Sequence, residues 1–169
     1  QGARGAVVCL INDAESVARC VAAGPGSWVS LSLGGKSDGM PFHAAAQVVR
    51  LTNGEFTLTG PMGAGNPGNL GPTALIDILG VRVIVTSRKM QALDQAILRH
   101  VGIEPSQVPI LALKSSVHFR ADFQPIAETI LVVQSPGAHI TDPVEMPYKF
   151  LRKGIRLRPM GPEWSGKPA

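Results

Sequence analysis

The run Ile110 to Phe123, ILALKSSVHFRADF, most constrains what this chain can fold into. Its four leading apolar residues, Ile110 to Leu113, predict a strand covered on both faces and therefore central in a sheet. Lys114, Ser115 and Ser116 break the run, and either serine can cap a helix by accepting a backbone N–H bond. Phe119, Phe123 and Ile126 then recur at i, i+4 and i+7, one face of a short helix. A strand that hands over to a helix in this way belongs to α/β architecture. In open α/β sheets, ligands bind at the carboxyl ends of strands, beside helix N-termini. Lys114, Ser115, His118 and Arg120 therefore form a candidate anion or carboxylate subsite. The alternative is a helix cap with solvated charges, in which His118 pairs with Asp122 one turn on.

The rest of the chain extends the α/β pattern. Ala6 to Ile11, AVVCLI, predicts a buried strand. Asn12 or Asp13 then caps a helix that turns Val17 and Val21 inward and stops at Gly24-Pro25-Gly26. Trp28 to Leu33 alternates with period two, a half-buried strand. Gln47–Leu51 and Glu55–Thr59 flank Thr52-Asn53-Gly54, which predicts a hairpin. Thr73–Leu79 and Val81–Thr86 flank Gly80, a second one. Leu93, Ile97 and Val101 then predict a helix over Gln91–His100, closed by Gly102. Pro125 ends the helix after His118, and Thr129–Val133 predicts a last strand. From Ser135 onward prolines recur and regular structure thins out. The expected fold is a mixed sheet with flanking helices and an inserted antiparallel β subdomain at about residues 28–80. It is expected to form a single domain over residues 1–158, with a tail over residues 159–169.

Composition narrows the function classes. The 169 residues suffice for one domain with a real core, and 44% hydrophobic with 17% charged residues exclude a disordered chain. The formal charge is +4, and Lys149, Arg152, Lys153, Arg156 and Arg158 crowd the last part of the chain. Such a tail can meet nucleic acid or a membrane surface. Aromatics are only 5%, however, so no base-stacking platform is visible. A solvated or partner-facing tail is expected, with no nucleic acid partner. No apolar run reaches membrane-spanning length and no signal-peptide pattern opens the sequence, so no membrane partner is expected. Cys9 and Cys20 read as small buried hydrophobes of a reducing, cytoplasmic compartment. The chain enters its first strand almost at once, as a fragment of a larger protein would.

Several motifs fail on mechanism. Gly63-Ala64-Gly65-Asn66-Pro67-Gly68 fits G-x-G-x-x-G, but that motif needs a helix to start inside the loop. Pro67, Gly71, Pro72 and a strand pattern follow instead. Gly35-Lys36-Ser37 ends like a phosphate loop, but Ser30 stands where the earlier glycine belongs, so Lys36 and Asp38 dress a turn. His43, His100, His118 and His139 show no ligand spacing, so neither a metal nor a cofactor is expected in this chain. His100 closes a helix, where imidazolium suits the dipole. Thr86, Ser87 and Arg88 follow the strand Val81–Val85. If that strand neighbours Ile110–Leu113 in parallel, Thr86, Ser87, Arg88, Lys114, Ser115 and His118 surround one crevice.

Read together, Leu33–Asp38, Gly60-Pro61-Met62, Leu70–Ala74, Gly80–Val83, Thr86-Ser87-Arg88, Gly102–Pro105, KSSVHFRADF, Ser135-Pro136-Gly137 and Met146-Pro147-Tyr148 carry a family resemblance. The chain resembles the carboxy-terminal domain of the MlrC (microcystin-degradation protein) family, M81-type zinc metallopeptidase-like hydrolases. KSSVHFRADF is its most specific part. The resemblance implies a longer bacterial-type protein that hydrolyses peptides or amides, with zinc and the main catalytic residues in a separate amino-terminal domain. This chain would bind that domain, supply substrate-binding or interdomain surface, and be inactive alone. The resemblance gives no residue here a catalytic role and does not imply microcystin as substrate. Self-association is left open. The competing readings are a non-catalytic binding or assembly module and a nucleotide-binding α/β domain.

Overall fold

In the computed structural model, which describes residues 3–36, 39–135, 140 and 142–164, the first apolar run is β1 (Ala6–Asn12). Asp13 leaves the sheet and caps α1 (Ala14–Ala23). Its carboxylate accepts from the Ser16 amide at 3.1 Å, the Ser16 hydroxyl at 2.9 Å and the Gly34 amide at 3.2 Å. These bonds satisfy donors that a helix start leaves open. The helix buries Ser16, Val17 and Cys20. Val21 lies outside that stripe, 52% exposed, against expectation.

β2 (Trp28–Leu33) and β3 (Phe42–Thr52) pair antiparallel. The Asn53-Gly54 turn does not make the expected hairpin. The chain crosses there into β4 (Glu55–Thr57), which pairs with β5 (Pro67–Asn69) in a separate two-stranded sheet. The glycine is required for another reason: Gly54 has φ +77° and its Cα lies against the Gly71 backbone, with Leu70 N–H donating to the Gly54 carbonyl at 2.9 Å. β6 (Thr73–Ile78) and β7 (Val81–Thr86) form the other predicted hairpin. Its turn residues, Leu79 and Gly80, have φ of 54° and 87°, as a tight hairpin requires.

The predicted helix over Gln91–His100 shortens to α2 (Ala96–Arg99), preceded by irregular chain. A 3-10 turn at Pro105–Gln107 leads to β8 (Ile110–Leu113), and α3 (Arg120–Phe123) runs into a second such turn at Gln124–Ile126, which contains Pro125. Phe123 is buried, whereas Ile126 is exposed.

The main sheet has the order β2-β3-β6-β7-β1-β8. β7, β1 and β8 run parallel, while the pairs among β2, β3, β6 and β7 are antiparallel. The flanking α/β segments thus share one sheet, as expected, and most of the antiparallel segment extends that same sheet. The central strands are β6 and β7, β1 is the middle strand of the parallel trio, and Ile110–Leu113 is not central. β8 is an edge strand with Ile110 and Ala112 exposed.

Period-two alternation sorts the core onto two faces. Val7, Cys9, Leu75 and Ile84 face Ile97, Leu98, Val101 and Phe123. Ala74, Ile76, Val83 and Val85 face Val17 and Cys20 of α1. Ile97 and Leu98 are fully buried, each contributing about 2–3 kcal/mol of apolar transfer. Thr129–Val133, expected as a strand, pairs with nothing among the described residues.

The chain divides into two compact units, one ending at Leu131 and one starting at Val132. The second holds a 3-10 turn at Pro143–Glu145, an Asp142–Arg158 ion pair and a short bridge between Arg156 and Glu163. Two of the five tail cations therefore have acid partners there, since Arg156 also lies 4.0 Å from Glu163.

Candidate functional site

The parallel trio places three carboxyl ends on one sheet edge. Where β1 ends beside β7, the Asp13 amide and the Asn12 side chain both donate to the Thr86 carbonyl, at 2.9 and 3.2 Å. The Thr86 hydroxyl is buried and donates to the Arg88 carbonyl at 2.9 Å. Ser87 donates to the Leu70 carbonyl at 3.4 Å. Both hydroxyls therefore hold the fold together, and of these three only Arg88 is exposed.

On the far side of β1, the Lys114 amide donates to the Cys9 carbonyl at 2.8 Å and extends the ladder by one residue. Its side chain is exposed, with no ion-pair partner among the described residues. Ser115 Oγ accepts from the Phe119 amide at 3.3 Å, ahead of the helix, whose N-cap is Phe119 with no side-chain cap bond, so the serine is not the cap of α3. His118 is exposed and does not pair with Asp122. Its Nδ1 lies 2.5 Å from Gln91 Oε1, 27 residues away in the chain. The Arg120 guanidinium sits 5.3 Å from the Phe119 ring centroid, a cation–π contact.

The expected crevice is thus only partly assembled. β1 separates β7 from β8, which sets the two loops about 10 Å apart. The His118–Gln91 contact joins the segment after Arg88 to the Lys114–His118 turn. Lys114, Ser115 and His118 share that turn, Arg88 follows β7 and is exposed, and Arg120 is taken up by Phe119.

Asp94 and Gln95, which sequence reasoning missed, join Asp122 in a set of bonds between the segments around α2 and α3. Asp94 is fully buried. Its carboxylate accepts from Thr59 N at 3.0 Å, Thr59 Oγ1 at 3.3 Å, Gly60 N at 2.8 Å and Ala96 N at 2.8 Å. Asp122 accepts from Gln95 N at 2.7 Å, and the Gln95 side chain returns a bond to the Asp122 carbonyl at 2.6 Å. A Cβ on Gly60 would lie 2.8 Å from the Asp122 carboxyl carbon and 3.1 Å from Asp94 Oδ2. The two carboxylates therefore tie the Gly60-Pro61-Met62 segment to α2 and α3. Apart from the bond from Ala96 N to Asp94, two residues away, these partners lie 27 to 35 residues off, beyond any local window.

The remaining titratable groups are structural. Burial pushes the Cys9 thiol up to about 12, so it is no nucleophile at neutral pH. Arg99, 2.9 Å from Glu104, holds that carboxyl down to about 2. His100 departs from the expected imidazolium. Burial beside the Phe56 ring lowers its pKa below 6.5, outweighing its bond to the Ile97 carbonyl, and its Nε2 has no partner. From pH 6.5 downward the unfolded chain binds a proton that the folded one refuses, so stability falls as pH falls through that window. Chemical denaturation at pH 7 and pH 5 should show this loss, and His100→Phe should reduce it. An unchanged slope in the variant would assign the loss to other groups.

Among the described residues, no three His, Cys, Asp or Glu side chains come together in a group that could hold a metal. His43 lies on β3, His100 after α2 and His118 before α3, and His139 lies outside the described residues. These donors do not fit zinc. No helix is long and apolar enough to cross a membrane among the described residues. The G-x-G-x-x-G segment leads into β5 and not into a helix, so it lacks the amide cluster that a pyrophosphate needs.

Fold and edge together define an α/β domain of the mixed-sheet class, with polar loops gathered at the carboxyl ends of a parallel trio. The family described as MlrC C-terminus matches residues 1–149, and the chain belongs to that family. A solved structure from Mesorhizobium sp. BNC1, described as a "Putative metallopeptidase", is similar at 27% identity with a TM-score of 0.77. The match covers 96% of this chain and 33% of that one, so the chain spans about a third of that protein's length. No curated protein matches.

Proposed function

We propose that this chain is the carboxy-terminal domain of a zinc-dependent amide or peptide hydrolase. In this reading zinc and the main catalytic residues lie in an amino-terminal domain, and this domain contributes substrate-binding and interdomain surface. The observation that carries the reading is the family match over residues 1–149 together with a structural neighbour, described as a metallopeptidase, that is about three times as long. The substrate-facing surface is the β7–β1–β8 carboxyl edge. Lys114 and Arg88 there are exposed cations suited to a substrate carboxylate, which an ammonium or guanidinium binds by charge-assisted hydrogen bonds. His118, held by Gln91, lines the same turn.

The test uses the full-length protein and an amide substrate bearing a carboxylate. Hydrolysis should be lost on chelation and restored by zinc. Lys114→Ala should raise KM about tenfold with kcat little changed, the mark of lost ground-state binding. His118→Ala should lower kcat/KM by a similar factor while the fold survives. Unchanged kinetics in both variants would reduce the edge to capping and surface charge.

A further inference from the structure

His118 and Gln91 meet across 27 residues of chain, with His118 Nδ1 2.5 Å from Gln91 Oε1. Both lie in the first compact unit. Each is anchored through its chain neighbour. Ala92, next to Gln91, is fully buried, and Phe119, next to His118, packs against the core cluster that contains Ala92. The Gln91 carbonyl also accepts from the Leu93 amide at 2.9 Å, which fixes the turn that carries its side chain. The two partners thus approach one another from segments held by one core. An amide oxygen can only accept, so the proton between them belongs to His118 Nδ1. In a neutral imidazole the other nitrogen then carries the lone pair. That nitrogen is Nε2 of an exposed side chain, and it has no hydrogen-bond partner among the described residues.

We propose that Gln91 is a positioning residue that holds His118 in the Nδ1–H tautomer, so that Nε2 offers a lone pair to a hydrogen-bond donor of the substrate, an amide N–H or an ammonium. The role toward substrate rests on the hydrolase reading above, whereas the tautomer does not. Lys114, on the same turn, can only donate. The two side chains are therefore complementary: a carboxylate suits Lys114 and an N–H suits His118. The opposite tautomer would place a second nitrogen donor beside Lys114 and remove that distinction. Outer partners of this kind fix the tautomer and ring orientation of a histidine, and their loss typically costs about 10- to 100-fold in activity.

Long-range 1H–15N NMR of this chain at about pH 8, above the ordinary imidazole range, reads the tautomer directly. The His118 resonances are identified by their loss in His118→Ala. In the wild-type chain the Nδ1–H form should outnumber the Nε2–H form about tenfold, the ratio that one hydrogen bond of ordinary net strength gives. This measurement needs no variant of Gln91 and decides the tautomer by itself. Gln91→Leu should abolish the preference, and Gln91→Glu, whose carboxylate still accepts, should keep it. A proton on Nε2 in the wild-type chain overturns the proposal, as does an unchanged tautomer in folded Gln91→Leu. In the full-length protein, Gln91→Leu should lower kcat/KM about tenfold, as His118→Ala does, with no further loss in the double variant. Gln91→Glu should retain most of the activity. An active enzyme in which Gln91→Leu changes the tautomer but not kcat/KM overturns the positioning role. A full-length protein with the tautomer in place and no amidase activity overturns the hydrolase reading, and with it the role toward substrate, and leaves the tautomer standing.

Discussion

Asp94→Ala is expected to lower the stability of the first unit by about 3–5 kcal/mol, which corresponds to a fall in Tm of about 10–15 °C. Asp94 is fully buried and accepts four hydrogen bonds. Removing it strands two buried backbone N–H groups, of Gly60 and Ala96, and frees the part-exposed Thr59 amide, which water can reach. Each stranded buried donor costs about 1–3 kcal/mol. Asp94→Asn keeps the shape but puts an NH2 among donors, so it should cost roughly half as much. Thermal and urea unfolding of the three proteins checks the order Asp, Asn, Ala. A loss under about 1 kcal/mol for Asp94→Ala would mean that the Gly60 segment is not held by this carboxylate.

Gly54→Ala should cost about 3 kcal/mol or more. Its φ of +77° strains any side chain, which accounts for about 1 kcal/mol. The larger part comes from the Gly71 backbone, which occupies the space a Cβ would need and cannot swing aside as a flexible side chain does. Gly65→Ala is the internal control. Gly65 has φ +85° and nothing within 4 Å of the added Cβ, so only the backbone strain applies. Similar Tm shifts in the two variants would show that the Gly54–Gly71 approach is not tight.

These two sites show what the sequence could and could not reveal. Strands whose neighbours follow directly in the chain were legible, because alternation and a Gly turn are local signals. β2 and the β6–β7 hairpin at Gly80 are examples. Asn53-Gly54 gave the same local signal but serves a crossing against Gly71, which no local window contains. The helix at Gln91–His100 was overestimated because Asp94 spends its carboxylate on Thr59, Gly60 and Ala96, so regular helix starts only at Ala96. The composition of Ile110–Leu113 predicts a central strand, but composition does not distinguish a central strand from a short edge strand.

The candidate site was legible to the same degree. Ser115 makes a local bond, to the Phe119 amide, but α3 starts later than the pattern predicts and has no side-chain cap. His118 finds Gln91, and Asp122 finds Gln95, across 27 residues each, distances over which spacing carries no information. The expected meeting of the two loops requires Val81–Val85 to neighbour Ile110–Leu113, and β1 lies between those strands. Among the described residues, no three His, Cys, Asp or Glu side chains come together, and His43, His100 and His118 lie on separate elements.

Elemental analysis after extensive dialysis, run on the full-length protein beside this 169-residue chain, tests the central claim most directly. The account predicts about one or more tightly held zinc ions per full-length chain and no stoichiometric zinc in this chain. A stoichiometric zinc in this chain alone, or a full-length protein that holds none, would contradict it.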